Sequence, residues 1–179
     1  MLQKAEVKLN AISAPPDFHA PPRLVSLILD QSSWTDDDMV QDMWAGILAS
    51  ACDSSGVDDS NLLFITLLSQ LTSVEARIIN NVCEKSIKNI SSAGWIFAVP
   101  YMLPLAELEA LTNIHDFHRI DRELDHLRNL GLIETHGGFP THSTIANVTP
   151  SALGLQLYVR CQGYNGSPIE FFGINKQNV

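Results

Sequence analysis

Apolar residues recur every three to four positions over most of this chain, and clear stop signals separate the runs. Pro22 or Arg23 opens a helix carrying Leu24, Val25, Leu27, Ile28 and Leu29, and Trp34 closes that segment. A second stripe follows with Met39, Val40, Met43, Trp44, Ile47, Leu48 and Ala51. Thr35 is placed to cap it, with Asp38 as a variant capping-box partner and Asp36, Asp37 and Asp38 where the helix dipole favours negative charge. A staple between Trp34 and Met39 fits the same start. After a polar turn around Gly56, Asp59 or Ser60 caps a helix bearing Leu62, Leu63, Ile65, Leu67, Leu68 and Leu71. It is apolar almost all round, so it is predicted to be the central buried helix. Thr72-Ser73-Val74-Glu75 is a capping box, and Val74, Ile78, Ile79, Val82 and Cys83 form the stripe behind it. These four helices predict a bundle over residues 23–86, with Trp44, Leu48 and Leu67 among its anchors. Truncating a fully buried Trp44 to alanine would cost about 3–5 kcal/mol.

The pattern changes at residue 87. Ile90, Trp95, Ile96, Phe97, Val99, Tyr101, Met102 and Leu103 surround Ser91-Ser92-Ala93-Gly94, which predicts a short strand or ordered connector over 87–103. Pro104 opens a short helix at 105–111. A longer helix at 116–130 carries Phe117, Ile120, Leu124, Leu127 and Leu130, with Leu127 as its anchor and Gly131 as its stop. Strands at 132–135 and 145–148 then flank a Gly137-Gly138-Phe139-Pro140 turn. Thr149 caps a closing helix, with Pro150 in its first position and Leu153, Leu155, Leu157, Tyr158 and Cys161 along it. Helix, helix, β-hairpin, helix is the order of a winged-helix module, here spanning 104–162. Residues 163–179 form a tail whose Phe171 and Phe172 are candidates to dock it. Residues 1–22 are read as an extended arm, because Pro15, Pro16, Pro21 and Pro22 favour polyproline-like backbone. The fold class is therefore mainly α: an N-terminal helical bundle followed by a winged-helix-like α+β module with a small β-hairpin.

Composition narrows the function. The chain has 179 residues, 45% of them apolar and 17% charged, which is globular in character. No apolar run reaches the roughly 18 residues that span a bilayer, and the first 22 residues make a poor secretory signal. The net charge is −9. Residues 1–60 hold three basic against ten acidic residues, −7, and the rest contributes −2. That balance repels a phosphate polymer. Cys52, Cys83 and Cys161 follow no metal-ligand spacing and fall in predicted helices, which reads as buried thiols in a reducing cytosol.

Candidate chemistry is sparse. The 116–130 helix offers His118, Arg119, Arg122, His126 and Arg128 for contact with nucleic acid, as a recognition helix would. It also carries Asp116, Asp121, Glu123 and Asp125, so its formal charge is −1. Arg119 with Glu123 and Arg122 with His126 are i, i+4 neighbours suited to lacing a solvated face. His115, His118, Asp121, Asp125, His126, His136 and His142 could be imagined around a metal, but no zinc-binding helix motif and no cysteine joins them. No GxSxG elbow and no phosphate-cradling glycine loop is present. Asp36, Asp37 and Asp38 could meet a basic partner, although helix-start chemistry accounts for all three. No catalytic, cofactor or metal residue is assigned.

The stretch DDDMVQDMWAGILASACD at 36–53, with Pro21-Pro22-Arg23 before it and QLTSVEARII at 70–79 after it, resembles the abortive-infection alpha (Abi-alpha) family of bacteria and their mobile elements. LPLAELEAL at 103–111, ELDHLRNLGLIE at 123–134 and VTPSALGLQL at 148–157 extend the resemblance over roughly residues 15–160. It implies a role in anti-phage defence and supplies no catalytic residue. The expectation is a cytoplasmic, non-enzymatic interaction or regulatory protein acting through protein contacts, with an unidentified protein or a second copy of the chain as partner. The alternative is a winged-helix DNA-binding transcriptional regulator using the 116–130 helix. A metal-dependent hydrolase built on the histidines is a third, more distant reading.

Overall fold

The structure is a computed structural model that describes residues 1–11 and 17–174. It is mainly helical with two small antiparallel strand pairs. The chain divides into two compact units, Met1–Leu71 with Val159–Gly166 and Thr72–Tyr158 with Ser167–Val179.

The first unit contains α1 (Leu2–Ala11), α2 (Pro22–Ser32), α3 (Asp38–Ser50) and α4 (Leu62–Gln70). Helix α3 is its centre: α1, α2 and α4 all pack on it, and it is buried from Met43 to Ser50 without a break. Trp44, Ile47 and Leu48 on α3, with Leu67 on α4 and Leu24 and Ile28 on α2, lie in this core. The packing depends on Gly46. A Cβ built there would fall 1.7 Å from the carbonyl oxygen of Cys161, so only a glycine lets the two backbones meet.

Several expectations for this unit are corrected. Residues 2–11 are helical rather than extended, because the prolines that block helix begin only at Pro15 and the preceding ten residues hold none. The rest of the arm up to residue 16 lies outside the described residues. The cap of α3 is Asp37, not Thr35: the Asp37 carboxylate accepts the amides of Met39 and Val40, both at 3.0 Å. Thr35 instead accepts the Asp37 amide at 3.3 Å and braces the turn before the helix. Trp34 is 83% exposed and staples nothing. Helix α4 is not the central one, since Leu63, Thr66, Ser69 and Gln70 face solvent while Phe64, Ile65, Leu67 and Leu68 face inward. Neither Asp59 nor Ser60 caps it. Asn61 holds that position, but its side-chain amide donates to Ser50 Oγ at 3.0 Å instead.

The second unit contains α5 (Ser73–Lys85), β1 (Lys88–Ile90), β2 (Ile96–Ala98), β3 (Met102–Pro104), α6 (Leu105–Thr112), α7 (Phe117–Asn129), β4 (Ile145–Asn147), the first part of α8 (Ala152–Cys161) and α9 (Pro168–Phe171). The Thr72–Glu75 capping box forms, and Val74, Ile78, Ile79, Val82 and Cys83 are buried as their spacing predicts. Helix α5 packs on α6 and α7, so it belongs to this unit rather than closing a bundle over 23–86. Leu108, Ile120, Leu124, Leu127, Leu132 and Ile133 complete a fully buried core.

The strands also differ from expectation. Residues 87–103 hold three strands, two of which pair as β1–β2 around a turn with Gly94 at φ +88°. The 132–135 segment does not pair with β4 as a hairpin. β4 pairs with β3, Leu103 opposite Ala146, and the stretch between is tied in by single bridges at Ile133–Pro150 and Gly138–Asn147 rather than by a ladder. The Gly137 amide bonds back to the Glu134 carbonyl at 2.7 Å, and this turn ends the strand before a ladder can form. Pro150 sits in one of those bridges, so the start of α8 falls to Ser151, whose hydroxyl accepts the Gly154 amide at 3.0 Å. Thr149 is buried and accepts the Tyr101 amide at 2.8 Å. The tail docks through aromatic rings. Phe172 stacks on Tyr158 at 6.0 Å between centroids, and Lys88 lies over the Phe172 ring.

Candidate functional site

Helix α7 starts at Asp116, whose carboxylate accepts the amides of His118 and Arg119 at 3.0 and 3.2 Å. It ends in a Schellman turn at Gly131, φ +72°, with the Leu132 amide on the Leu127 carbonyl and the Gly131 amide on that of Arg128. Ile120, Leu124 and Leu127 face inward. Its charged side chains, the candidates for nucleic-acid contact, are largely committed to the protein itself.

Two buried carboxylates organise them. Glu75 is 1% exposed. Its Oε2 accepts the Thr72 amide at 2.7 Å as the capping box requires, and its Oε1 meets His126 Nδ1 at 2.6 Å. Glu123, 6% exposed, accepts the Thr72 hydroxyl at 3.2 Å and an Arg122 N–H at 3.4 Å, and Arg119 Nε lies 3.7 Å away. Thr72 therefore serves both acids, since its hydroxyl also accepts the Glu75 amide at 3.2 Å. Arg128 donates to the Gly137 carbonyl at 2.9 Å and pairs with Asp125 at 2.7 Å. Among the described residues, His118 alone of the five stands exposed without an ion pair, its ring edge-on to Phe117. Burying carboxylates is tolerable because each one is bonded on both oxygens; losing a partner would strand a buried charge. The capping box was legible in the sequence. The second oxygen of Glu75 was not, because His126 lies 51 positions away.

The acidic triplet divides its labour. Asp37 caps α3 and Asp38 pairs with Lys4 Nζ at 2.7 Å, while Asp36 is exposed. Lys8 with Asp42 at 2.9 Å repeats the link one helical turn along, so α1 is clipped to α3 at matched i, i+4 positions. His115, His118, His136 and His142 are all exposed, and among the described residues no three His, Cys, Asp or Glu side chains could hold one metal ion. All three cysteines are buried, and none is in a disulfide. Burial pushes the Cys83 thiol well above its ordinary pKa against a smaller opposing pull from Lys88, and burial with nearby Asp53 raises Cys52.

The most exposed apolar surface of the second unit lies along the β1–β2 ribbon. Ile90, Ile96 and Ala98 point inward, while Phe97 is 40%, Ile87 69% and Trp95 75% exposed. Alternation along β2 turns Phe97 outward, and Ile87 and Trp95 stand exposed in the positions just before β1 and β2. Tyr101, beyond the ribbon, is half-buried.

Fold and surfaces together define a mainly helical protein with small β-ribbons, clasped helix termini and an outward apolar ribbon face. Among the described residues no helix is long and apolar enough to cross a membrane. The chain belongs to the abortive infection alpha family, whose sequence profile matches residues 1–156 of the 179. That membership associates it with abortive-infection, antiviral defence. No curated protein and no solved structure matches the chain.

Proposed function

We propose that this chain is a non-catalytic interaction protein of bacterial abortive-infection defence, acting in the cytoplasm by protein–protein contact. The observation that carries the reading is the solvent-facing set Ile87, Trp95 and Phe97, on β2 and at the starts of β1 and β2. Exposed aromatic residues on an ordered ribbon are the residue types that anchor protein interfaces. The order β3, α6, α7, bridge, β4, α8 after the β1–β2 ribbon supports a winged-helix-like second unit used for docking, with the partner a protein or a second copy of the chain.

The alternative, DNA binding through α7, draws less support. Arg119, Arg122, His126 and Arg128 already engage internal acceptors, and releasing Arg119, Arg122 and His126 would take partners from buried Glu123 and Glu75. The test is affinity capture from phage-infected cells with the intact chain and with Trp95→Ser/Phe97→Ser. The reading expects a reproducible protein partner and protection from phage, both lost in the variant while its circular dichroism is unchanged. An enriched DNA operator, or full protection by the variant, would sink it.

A further inference from the structure

Three elements of the second unit turn one face each toward a common groove of about 280 Å³. Helix α5 contributes Asn81 and Lys85, an i, i+4 pair on one stripe. Helix α6 contributes Glu107, Ala110 and Leu111 at i, i+3 and i+4. Tyr101 and Leu103 alternate along the start of β3. The walls are fixed: α5 packs on α6, α6 packs on β3, and the Tyr101 backbone is held by the Thr149 hydroxyl and the Val148 amide at 2.8 and 2.9 Å.

The groove's polar side chains are not used by the fold. No hydrogen bond or ion pair occupies the side chains of Asn81, Lys85, Tyr101 or Glu107 among the described residues. Lys85 and Glu107 carry opposite charges on facing helices, yet they do not pair with each other. Elsewhere in this unit Arg119, Arg122 and Arg128 each meet a carboxylate, and Lys88 covers an aromatic ring. A split pair of opposite charges, two neutral hydrogen-bonding groups and an apolar wall of Leu103, Ala110 and Leu111 make a polarised, preformed cradle.

We propose that this groove binds a small zwitterion, an α-amino acid with an apolar side chain. Its carboxylate meets Lys85, its ammonium meets Glu107, and its side chain lies against Leu103, Ala110 and Leu111. Asn81 and the Tyr101 hydroxyl supply the remaining hydrogen bonds. The size of the groove suits a ligand well below drug dimensions. The charge separation selects against molecules carrying one charge alone, since either lone ion would leave the opposite wall unanswered.

Isothermal titration calorimetry on the full chain tests this with leucine, valine and methionine, against N-acetyl-leucine, leucinamide and isovalerate. Binding with a dissociation constant of roughly 1 mM or tighter is expected for the free amino acids. Capping either end, and each of Lys85→Gln and Glu107→Gln, should weaken it about tenfold or more. Both side chains are exposed, so these variants should keep the melting temperature of the parent, and Glu134→Gln, outside the groove, should bind as the parent does. The proposal is overturned if no free amino acid binds, if the capped ligands bind equally well, or if both charge variants retain full affinity.

Discussion

Glu75 and His126 meet at 2.6 Å across 51 residues of chain, joining the first turn of α5 to the last turns of α7. The acid is fully buried and the imidazole is 41% exposed in its side chain. Removing the acid and removing the histidine should therefore differ. Glu75→Ala loses the capping box and the clasp together and should destabilise by about 2–4 kcal/mol. His126→Ala leaves the Thr72 side of the acid intact and should cost about 1–2 kcal/mol. Urea unfolding of both single variants and the double variant checks this. A coupling energy near zero would show that the contact does not tie the helices.

Gly46 and Gly94 are both glycines for different reasons, and alanine scanning separates them. At Gly46 the obstacle is backbone, the carbonyl of Cys161, which cannot rotate away as a side chain could. Gly46→Ala should cost about 3 kcal/mol or more. At Gly94 nothing lies within 4 Å of a new Cβ, and only the positive φ is opposed. Gly94→Ala should then cost about 1–2 kcal/mol. Thermal or urea denaturation ranks the two; the reverse ranking would contradict the backbone crossing at Gly46.

The start of α3 gives a comparison between neighbours. Asp37→Ala removes an acceptor for two helix amides and a negative charge at the positive end of the dipole, and should cost about 1–2 kcal/mol. Thr35→Ala removes one long bond to the Asp37 amide and should cost about 0.5 kcal/mol or less. Equal losses would restore Thr35 to the capping role that the sequence suggests.

What was legible divides along one line: signals set by neighbours in the chain could be read, and those set by distant partners could not. The stripes of α3, α5 and α7, the Thr72–Glu75 box and the Gly131 stop are local, and each is found where its spacing puts it. At the start of α3 three aspartates and a threonine all satisfy the capping rule, so composition alone could not choose Asp37. The pairing of β4 with β3 depends on segments more than forty residues apart, and three-residue strands give too little alternation to announce a partner. On α7 the acids that meet the arginines, Glu123 and Asp125, share the helix and were legible beside them, whereas His126 looked available because Glu75, on another helix, could not be seen against it. The exposed ribbon residues Trp95 and Phe97 were legible as β-formers, while their outward direction is fixed only by the pairing register.

The thiols give the chain a definite pH response. Cys83 is fully buried and its pKa is raised in the folded protein, chiefly by desolvation. In the unfolded chain it ionises near the ordinary thiol value, about 8.5. The folded state thus holds the proton more tightly. Its contribution is complete below about pH 8.5 and is lost as pH rises between the unfolded and folded values, at up to about 1.4 kcal/mol per pH unit. Cys52 is raised in the same direction, by burial and by Asp53. Unfolding free energies measured from pH 7 to 10.5 should therefore fall on the alkaline side. Cys83→Ala should start lower, because it leaves a small cavity, yet decline less steeply. In the native protein at pH 8 a disulfide-exchange reagent should label none of the three cysteines quickly, and all three once denaturant is added. Rapid native labelling of Cys83, or a variant with the parent's alkaline slope, would show that this thiol is not sealed in the core.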